Sequence, residues 1–355
     1  KDIKKILNHD LDFDVVMTHL PEHTHALKNT MYNVTQHIPP VFGYCHWFDL
    51  KDVVAWNKDS FLQNITGLLE YERCYLNTQH QKDLVINQAK ETFNDKTIEK
   101  LNNILTVQHL GVNTGDIISE INESPEKIIV FNHRPDTYKH FKQFISLTDK
   151  LWETRKDFKV WVPLLDKSDR DYVITDKGDK QWYYNKLKEC CVGFSPKQTY
   201  GGWSVATTDG MMNGVPYIMY NDTYYKELNP NADFFTTDDE ALKLFNDYLD
   251  TDIRNVKAKE SLEHLHKNLI YKDKMVSMND YMNDLLSKQK VMGNSEKLKE
   301  IISWIKDNKS MTKKEIMLKL GWGRGIKWTP YRRALMNHPN IYDENNSEPT
   351  YNWKT

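Results

Sequence analysis

Through most of the chain, short apolar runs alternate with amphipathic stretches, the rhythm of βα units feeding parallel sheets. Phe13–Met17 reads as a buried strand, stopped by His19-Leu20-Pro21-Glu22, and a helix from His23 to Val34 follows. Pro39-Pro40 leads into the strand Val41–Cys45. A helix from Ser60 to Leu69, a strand Arg73–Leu76, a helix Gln81–Phe93 and a short strand Leu105–Leu110 complete the first set. Gly111–Glu126 is polar, with Gly, Asn and Pro punctuation, and reads as a linker between domains. A second set opens with the strand Lys127–Phe131 and the helix Tyr138–Trp152. It continues with Phe158–Leu164 as strand, Gln181–Glu189 as helix, Cys191–Phe194 as strand, Val205–Asn213 as helix and Tyr217–Tyr220 as strand. The stretch from there to about Lys290 is mostly helical. The pattern predicts two α/β domains, 1–115 and 116–290, with ligands expected beyond the carboxyl ends of the strands.

The remaining residues, 295–355, follow a different plan. Leu298, Ile301, Ile302 and Ile305 share one helical face, and Thr312 with Glu315 forms a capping-box pair opening a helix to Leu320. Gly321-Trp322-Gly323 breaks the chain, and Thr329–Asn337 suits a third helix with Pro330 in its first turn. Asn340–Tyr342 and Thr350–Trp353 then suit a hairpin. Three helices and a hairpin make the winged helix-turn-helix plan.

At 355 residues with 39% hydrophobic positions, the chain is long enough for two or three domains with real cores. Its net charge of −2 says nothing about partners. The distribution says more: residues 295–355 hold 12 of the 48 Lys/Arg but only 7 of the 50 Asp/Glu, a basic tail on an acidic body. Cys45, Cys74, Cys190 and Cys191 form no CxxC pair and read as reduced, partly buried thiols, so no metal site is expected of them. No apolar run reaches the roughly 18–20 residues of a membrane span, so no membrane partner is expected. The opening residues lack a signal-peptide pattern, and Lys1 in place of Met suggests that part of the native start is missing.

Two segments carry candidate chemistry. Strand Lys127–Phe131 runs into Asn132-His133-Arg134, and Lys139 follows five residues later at the start of the next helix. A guanidinium, an ammonium and free helix N-terminal N–H groups together can compensate a diphosphate. The same residues also read as a solvated basic helix start. The second segment is Ser195–Pro216 (SPKQTYGGWSVATTDGMMNGVP). Gly201-Gly202 lets backbone approach a ligand closely, and Asp209, one turn into the helix, can accept hydrogen bonds from a ribose diol. A glycine turn packed on a helix, with Asp209 solvated, is the plainer reading.

In this order the two segments resemble the donor site of retaining GT-B glycosyltransferases: the Arg…Lys phosphate motif, then the "S…EGFG…EA…G.P" block. The resemblance implies two Rossmann-like domains, a UDP-sugar or similar donor as substrate with no obligatory cofactor, and no obligatory metal. It sets Arg134 and Lys139 on the diphosphate, Ser195, Gly201 and Gly202 beside the donor, and Asp209 on the ribose. The first Glu of the family's paired-Glu motif has no counterpart near Tyr200-Gly201, so backbone N–H groups of Gly201 and Gly202 are expected to take over its contact. The first domain is similar to that of α-glucosyltransferases that modify phage DNA, where a His-x-x-Asp-like cluster ends a strand over the acceptor. Here that is His46-Trp47-Phe48-Asp49. His46 then either binds a sugar hydroxyl or helps move the acceptor proton, and Asp49 orients or accepts it. A strand-end His followed by a helix-capping Asp is the bland alternative, and His19 with Glu22 forms a weaker candidate pair.

The tail points to duplex DNA. Lys313 and Lys314 open its second helix, Arg324 and Lys327 lie in the following loop, and Arg332 and Arg333 sit in the third helix. Such cations suit phosphates flanking a groove, with Arg332 or Arg333 reaching guanine edges. Trp322, Trp328 and Trp353 read as core. The expected activity is transfer of a sugar to a hydroxymethylated pyrimidine in duplex DNA, in the cytoplasm of a phage-infected bacterium. A lipid, polysaccharide or protein acceptor shares every donor-site argument, and a catalytically dead DNA-binding regulator is the reading from another class.

Overall fold

The computed structural model describes residues 13–35, 38–51, 57–198, 202–250, 252–293, 296–320, 331–332, 335, 338, 340–343 and 350–354. In chain order the first elements are β1 (Val16–Thr18), α1 (Thr24–Thr35), β2 (Val41–Cys45), α2 (Lys58–Leu68), β3 (Arg73–Leu76), α3 (Gln79–Lys90), α4 (Asp95–Ile104) and β4 (Leu105–Val107). The next are β5 (Ile128–Val130), α5 (Phe141–Thr154), β6 (Lys159–Trp161), β7 (Val173–Ile174), α6 (Lys180–Lys188), β8 (Val192–Ser195), α7 (Val205–Met212) and β9 (Tyr217–Tyr220). They are followed by α8 (Thr223–Leu228), β10 (Asp233–Phe235), α9 (Asp238–Asp250), α10 (Ile253–Asn268) and α11 (Tyr271–Gly293). The chain ends with α12 (Glu296–Asn308), β11 (Ser310–Thr312), α13 (Lys313–Lys319), β12 (Ile341–Asp343) and β13 (Thr350–Trp353). Two compact units result, one of residues 45–62 and 75–276, the other of 1–44, 63–74 and 277–355.

The larger unit is built on a six-stranded sheet of order β10-β9-β8-β5-β6-β7, every neighbouring pair parallel. Strand pleating sorts its side chains into two cores. Ile128 and Val130 pack with Met211, Met212, Tyr217, Tyr224, Tyr225, Leu262 and Leu265 on one face. Ile129 and Phe131 pack with Phe144, Leu147, Leu151, Phe194, Phe235 and Phe245 on the other. The order reverses at β5: the chain leaves it toward β6 and β7, then returns to lay β8 on its other side. That reversal is a topological switch point, where an open α/β sheet leaves a crevice. The segment 111–126, expected as a linker, is knitted into this unit instead. Val112 and Ile117 are buried in the first core, and Val112 exchanges backbone hydrogen bonds with Leu269 and Tyr271.

Most expected elements are present with boundaries moved by one to three residues. Helix α5 begins at Phe141, later than expected, because Thr137–Lys139 forms a 3₁₀ turn and His140 adopts a left-handed φ of 48°. Helix α4 was not expected. Only Ile98, Leu101 and Ile104 mark its buried face, and Asn94 caps it by accepting from the Thr97 N–H. The short strands β7 and β10 were missed because two or three residues carry no periodicity.

In the other unit, β1 pairs in parallel with β2, Val16 opposite Val41. Arg73 lies over the Tyr281 ring at 3.9 Å, and Phe42 meets the same ring edge-on. The last 60 residues carry their own small core of Leu298, Ile301, Ile305, Met311, Ile316, Tyr331, Leu335, Ile341 and Tyr351. The Thr312–Glu315 capping box and the antiparallel β12–β13 pair are as expected. Strand β11, which the sequence reading did not include, adds a third strand beside β13. Trp353 packs against this core; Trp322 and Trp328 lie outside the described residues.

Candidate active site

Both candidate segments emerge at the switch point, one beyond β5 and the other beyond β8. Asn132, the first residue after Phe131, is buried, and its amide donates to the Tyr183 hydroxyl (2.9 Å) and the Ala206 carbonyl (2.6 Å). The Tyr217 hydroxyl donates back to Asn132 Oδ1 at 3.0 Å. Tyr217 reaches there only because glycines flank its ring. A Cβ on Gly193 would stand 2.3 Å from the ring, and one on Gly210 2.1 Å from its hydroxyl. Asn132 is thereby fixed on the wall of a cavity of about 560 Å³. Pro163, Leu164, Gly178, Lys180, Tyr183, Tyr184 and Asp209 line the rest of it.

Arg134 is exposed, whereas Lys139 is largely covered and donates to Gln198 Oε1. Gln198 is itself buried and donates to the Tyr225 hydroxyl (2.8 Å), which donates to the Pro196 carbonyl (2.9 Å). Burial, reinforced by the nearby Arg134 charge, brings the Lys139 ammonium down to about 8. Among the described residues, neither Arg134 nor Lys139 is in a salt bridge with a carboxylate. His133, between them and β5, is fully buried. Desolvation and then the Lys139 charge push it down to about 3, so the ring is neutral, hydrogen-bonded to the Phe194 backbone and with Nε2 unpartnered.

Beyond β8, Ser195 is wholly buried and its hydroxyl is engaged with Thr207 at 2.7 Å, as is that of Ser204, the N-cap of α7. Its side chain therefore pins the start of α7 behind the cavity. Asp209 lies on the cavity wall with its carboxyl raised to about 6 by burial, with Lys180 lowering and Asp116 raising it. Gly201 lies outside the described residues. Gly202 is packed so closely that a Cβ there would stand 3.2 Å from the His46 carbonyl and 3.5 Å from both Asn77 Nδ2 and Gln81 Nε2.

That contact brings the first half of the chain to the glycine turn. His46 and Asp49 follow β2; His46 is exposed, Asp49 half-buried, and the Asp49 carbonyl accepts from Gln88 (3.1 Å). Asn77, directly after β3, is buried and donates to His46 Nδ1 (3.3 Å). Its backbone carbonyl accepts from His109 (2.8 Å), whose ring stacks on Trp203 at 5.6 Å. A second tie lies nearby: Glu227 of α8 accepts from the Gln79 and His80 N–H groups at the start of α3. Sequence reasoning missed Asn77, Gln81, His109 and Gln198. Asn77 was the most accessible of them, since it follows a strand at its carboxyl end and precedes the Thr78 N-cap of α3.

In the C-terminal segment, Lys313 and Lys314 open α13 and Arg332 is half-buried. Arg324, Lys327 and Arg333 lie outside the described residues. The Tyr44 carbonyl accepts from His19 Nδ1 (2.6 Å), and Glu22 accepts from Asn64 (3.0 Å), so both side chains are engaged within the protein. Among the described residues, no group of three or more His, Cys, Asp and Glu could hold a metal ion, and no helix is long and apolar enough to cross a membrane.

No protein-family model matches the sequence, and no curated protein matches it. Solved structures do. A TarM mutant from S. aureus, in complex with fondaparinux, alpha-GlcNAc-glycerol and UDP, superposes with a TM-score of 0.57 at 14% identity, covering 77% of this chain and 55% of that one. Sucrose-phosphate synthase from Thermosynechococcus elongatus gives 0.61 at 9% identity, covering 78% and 74%. The E. coli trehalose-6-phosphate structure bound with UDP-2-fluoro glucose gives 0.58 at 11% identity, covering 80% and 75%. The chain thus spans just over half the length of TarM, and 59% of the GtfA/B complex chain it also matches. At these identities the likeness is one of fold, and that fold is the GT-B arrangement of Rossmann-like α/β domains.

Proposed function

We propose that the chain transfers a sugar from a nucleoside-diphosphate donor, a UDP-sugar, to an acceptor hydroxyl. The observation that carries this reading is that two segments leave β5 and β8 at one switch point, the first bearing Arg134 and Lys139 and the second bearing Asp209 on the wall of a cavity. The base lies among Pro163, Leu164 and Tyr184, the ribose diol on Asp209, and the diphosphate on Arg134 and Lys139. As the sugar–phosphate bond breaks, negative charge grows on the departing diphosphate, and cations already in place stabilise it without reorganisation. The UDP in the TarM mutant complex and the UDP-2-fluoro glucose in the E. coli structure support the donor class.

For the acceptor, the reading is a hydroxymethylated pyrimidine in duplex DNA, flipped from the stack to meet the anomeric carbon. Residues 295–355 form a winged-helix module in this reading, with Lys313, Lys314, Arg324, Lys327, Arg332 and Arg333 on phosphates and base edges. The basic surplus of the tail supports it. Retention at the anomeric carbon and independence of metal follow from the family resemblance. A non-nucleic-acid acceptor is the second reading, favoured by the alpha-GlcNAc-glycerol in the TarM mutant complex.

Incubating the chain with a panel of nucleotide sugars and plain or hydroxymethylated duplex, then weighing the released nucleosides, tests donor and acceptor together. A hexose or pentose mass on the modified base is the expected result. Donor hydrolysis with unmodified nucleosides would leave the donor site standing and remove DNA as acceptor. With an active donor in hand, Arg134→Ala and Lys139→Ala should each lose about 1.5–3 kcal/mol of transition-state binding. Wild-type turnover in both would place the donor elsewhere.

A further inference from the structure

The cavity beyond β5 carries a hydroxyl whose hydrogen-bonding role is fixed by the protein itself. One end of the Asn132 amide lies 2.6 Å from the Ala206 carbonyl oxygen. A carbonyl oxygen only accepts, so that end is Nδ2, and the amide has one orientation. The same nitrogen stands 2.9 Å from the Tyr183 hydroxyl, while Oδ1 takes the Tyr217 proton at 3.0 Å. Tyr183 is therefore the acceptor in its bond with Asn132. A phenol carries one proton, and that of Tyr183 has no acceptor among the described residues. The ring is held beside Trp161 (5.8 Å) and Tyr184 (5.7 Å). Asn132, Tyr183 and Ala206 all line the cavity of about 560 Å³, so the cavity is where that proton is free to point.

The Asp209 carboxylate stands on the wall of the same cavity. Its charge acts on Tyr183, yet no hydrogen bond joins the two. Lys180 and Asp116 act on Asp209 through charge alone. The cavity thus offers a group that only donates together with a group that, once ionised, only accepts. Among the polar groups of a nucleoside diphosphate, phosphate oxygens and base carbonyls only accept, and a base N–H only donates. A hydroxyl does both, and it alone satisfies the pair at once.

We propose that Tyr183 is a nucleotide-binding residue that, with Asp209, selects ribose over deoxyribose: its hydroxyl donates to a ribose hydroxyl oxygen, whose own proton goes to Asp209. The ribose rests on the nucleotide-sugar reading of the cavity. The fixed donor role of Tyr183 rests on Asn132 and Ala206 alone. A nucleotide lacking that hydroxyl leaves both protein groups unpaired, and a site built to bond a hydroxyl rejects the analogue without it for that reason.

Titration calorimetry of the full chain and its Tyr183→Phe variant with UDP, 2′-deoxy-UDP and 3′-deoxy-UDP reads the contact. The wild type should bind UDP at least about 10-fold more tightly than one of the two deoxy analogues. Tyr183→Phe should weaken UDP about 10-fold and leave that analogue unchanged, so that the discrimination disappears. A merely structural role, through a loosened Asn132, would weaken all three ligands alike, and that result overturns the proposal. So does discrimination that survives in Tyr183→Phe, which would belong to Asp209 alone, and so does a wild type that binds all three equally. Where Tyr183→Phe fails to fold, 3-fluorotyrosine at position 183 keeps the hydroxyl and makes it a stronger donor. The discrimination should then widen, and an unchanged ratio overturns the proposal. UDP binding untouched in a folded Tyr183→Phe removes this inference and leaves the nucleotide-sugar reading standing; a wild type that binds no nucleotide removes both.

Discussion

At the scale of single residues, the site is set by what burial does to charge. Lys139 and Asp209 are both moved toward neutrality by desolvation, to about 8 and about 6. The proposed donor mode needs both charged, a cation for phosphate and a carboxylate for ribose. Nucleotide-sugar affinity should therefore be highest between about pH 6 and pH 8, fall below as Asp209 protonates and fall above as Lys139 loses its proton. Titration calorimetry across that range measures it. Asp209→Asn should abolish the acid limb alone, and an acid limb that survives would exclude Asp209 from the ribose. The effect on the unliganded fold has the opposite sign. A carboxyl whose folded pKa is raised from 3.8 to about 6 favours the folded state in its protonated form. That contribution is full below about 3.8 and is lost as pH rises through about 6. Asp209→Asn should thus make the unliganded chain's stability less dependent on pH between those values.

At the scale of elements, the switch point depends on groups remote from it. Arg254 in α10 is 3% exposed, and its guanidinium donates to the carbonyls of Cys191 (3.3 Å), Gly214 (3.0 Å) and Asn122. One side chain thereby joins the start of β8, the turn after α7 and the polar segment 111–126. Arg254→Met keeps the apolar stem and abandons three carbonyls. The expected cost is about 3–5 kcal/mol of unfolding free energy, readable by chemical denaturation. A loss below about 1 kcal/mol would mean that solvent replaces those bonds. The same logic explains why the glycines around Tyr217 matter: they admit a ring whose hydroxyl orients Asn132 on the cavity wall.

At the scale of the whole molecule, the acceptor question turns on charge distribution. If residues 295–355 hold duplex DNA, replacing Lys313, Lys314 and Arg332 together with Ala should lower the affinity and flatten its dependence on salt. Removing one cation from a phosphate changes the slope of log affinity against log salt by about 0.9. Fluorescence anisotropy at several salt concentrations checks it, and an unchanged slope would exclude these three as phosphate ligands. The reading of a catalytically dead regulator would survive only if DNA bound normally and every donor in the panel remained intact.

The sequence by itself determined the βα rhythm, the strands β2, β3 and β9, the capping box at Thr312, and the two segments that meet at the switch point. These features are local: pleat alternation, cap chemistry and a strand running into a basic turn are written within about a dozen residues of each other. Tertiary structure alone decided which residues from distant segments share a site. Asn77, His109 and Gln198 carry no motif, and they matter only because β3, the segment after β4 and the loop after β8 bring them to Gly202 and Lys139. It also decided that Ser195 turns its hydroxyl inward, and that Val112 and Ile117 of the stretch 111–126 are buried in a core. Burial and hydrogen-bond pairing are properties of the packed chain, and no window of the sequence contains them.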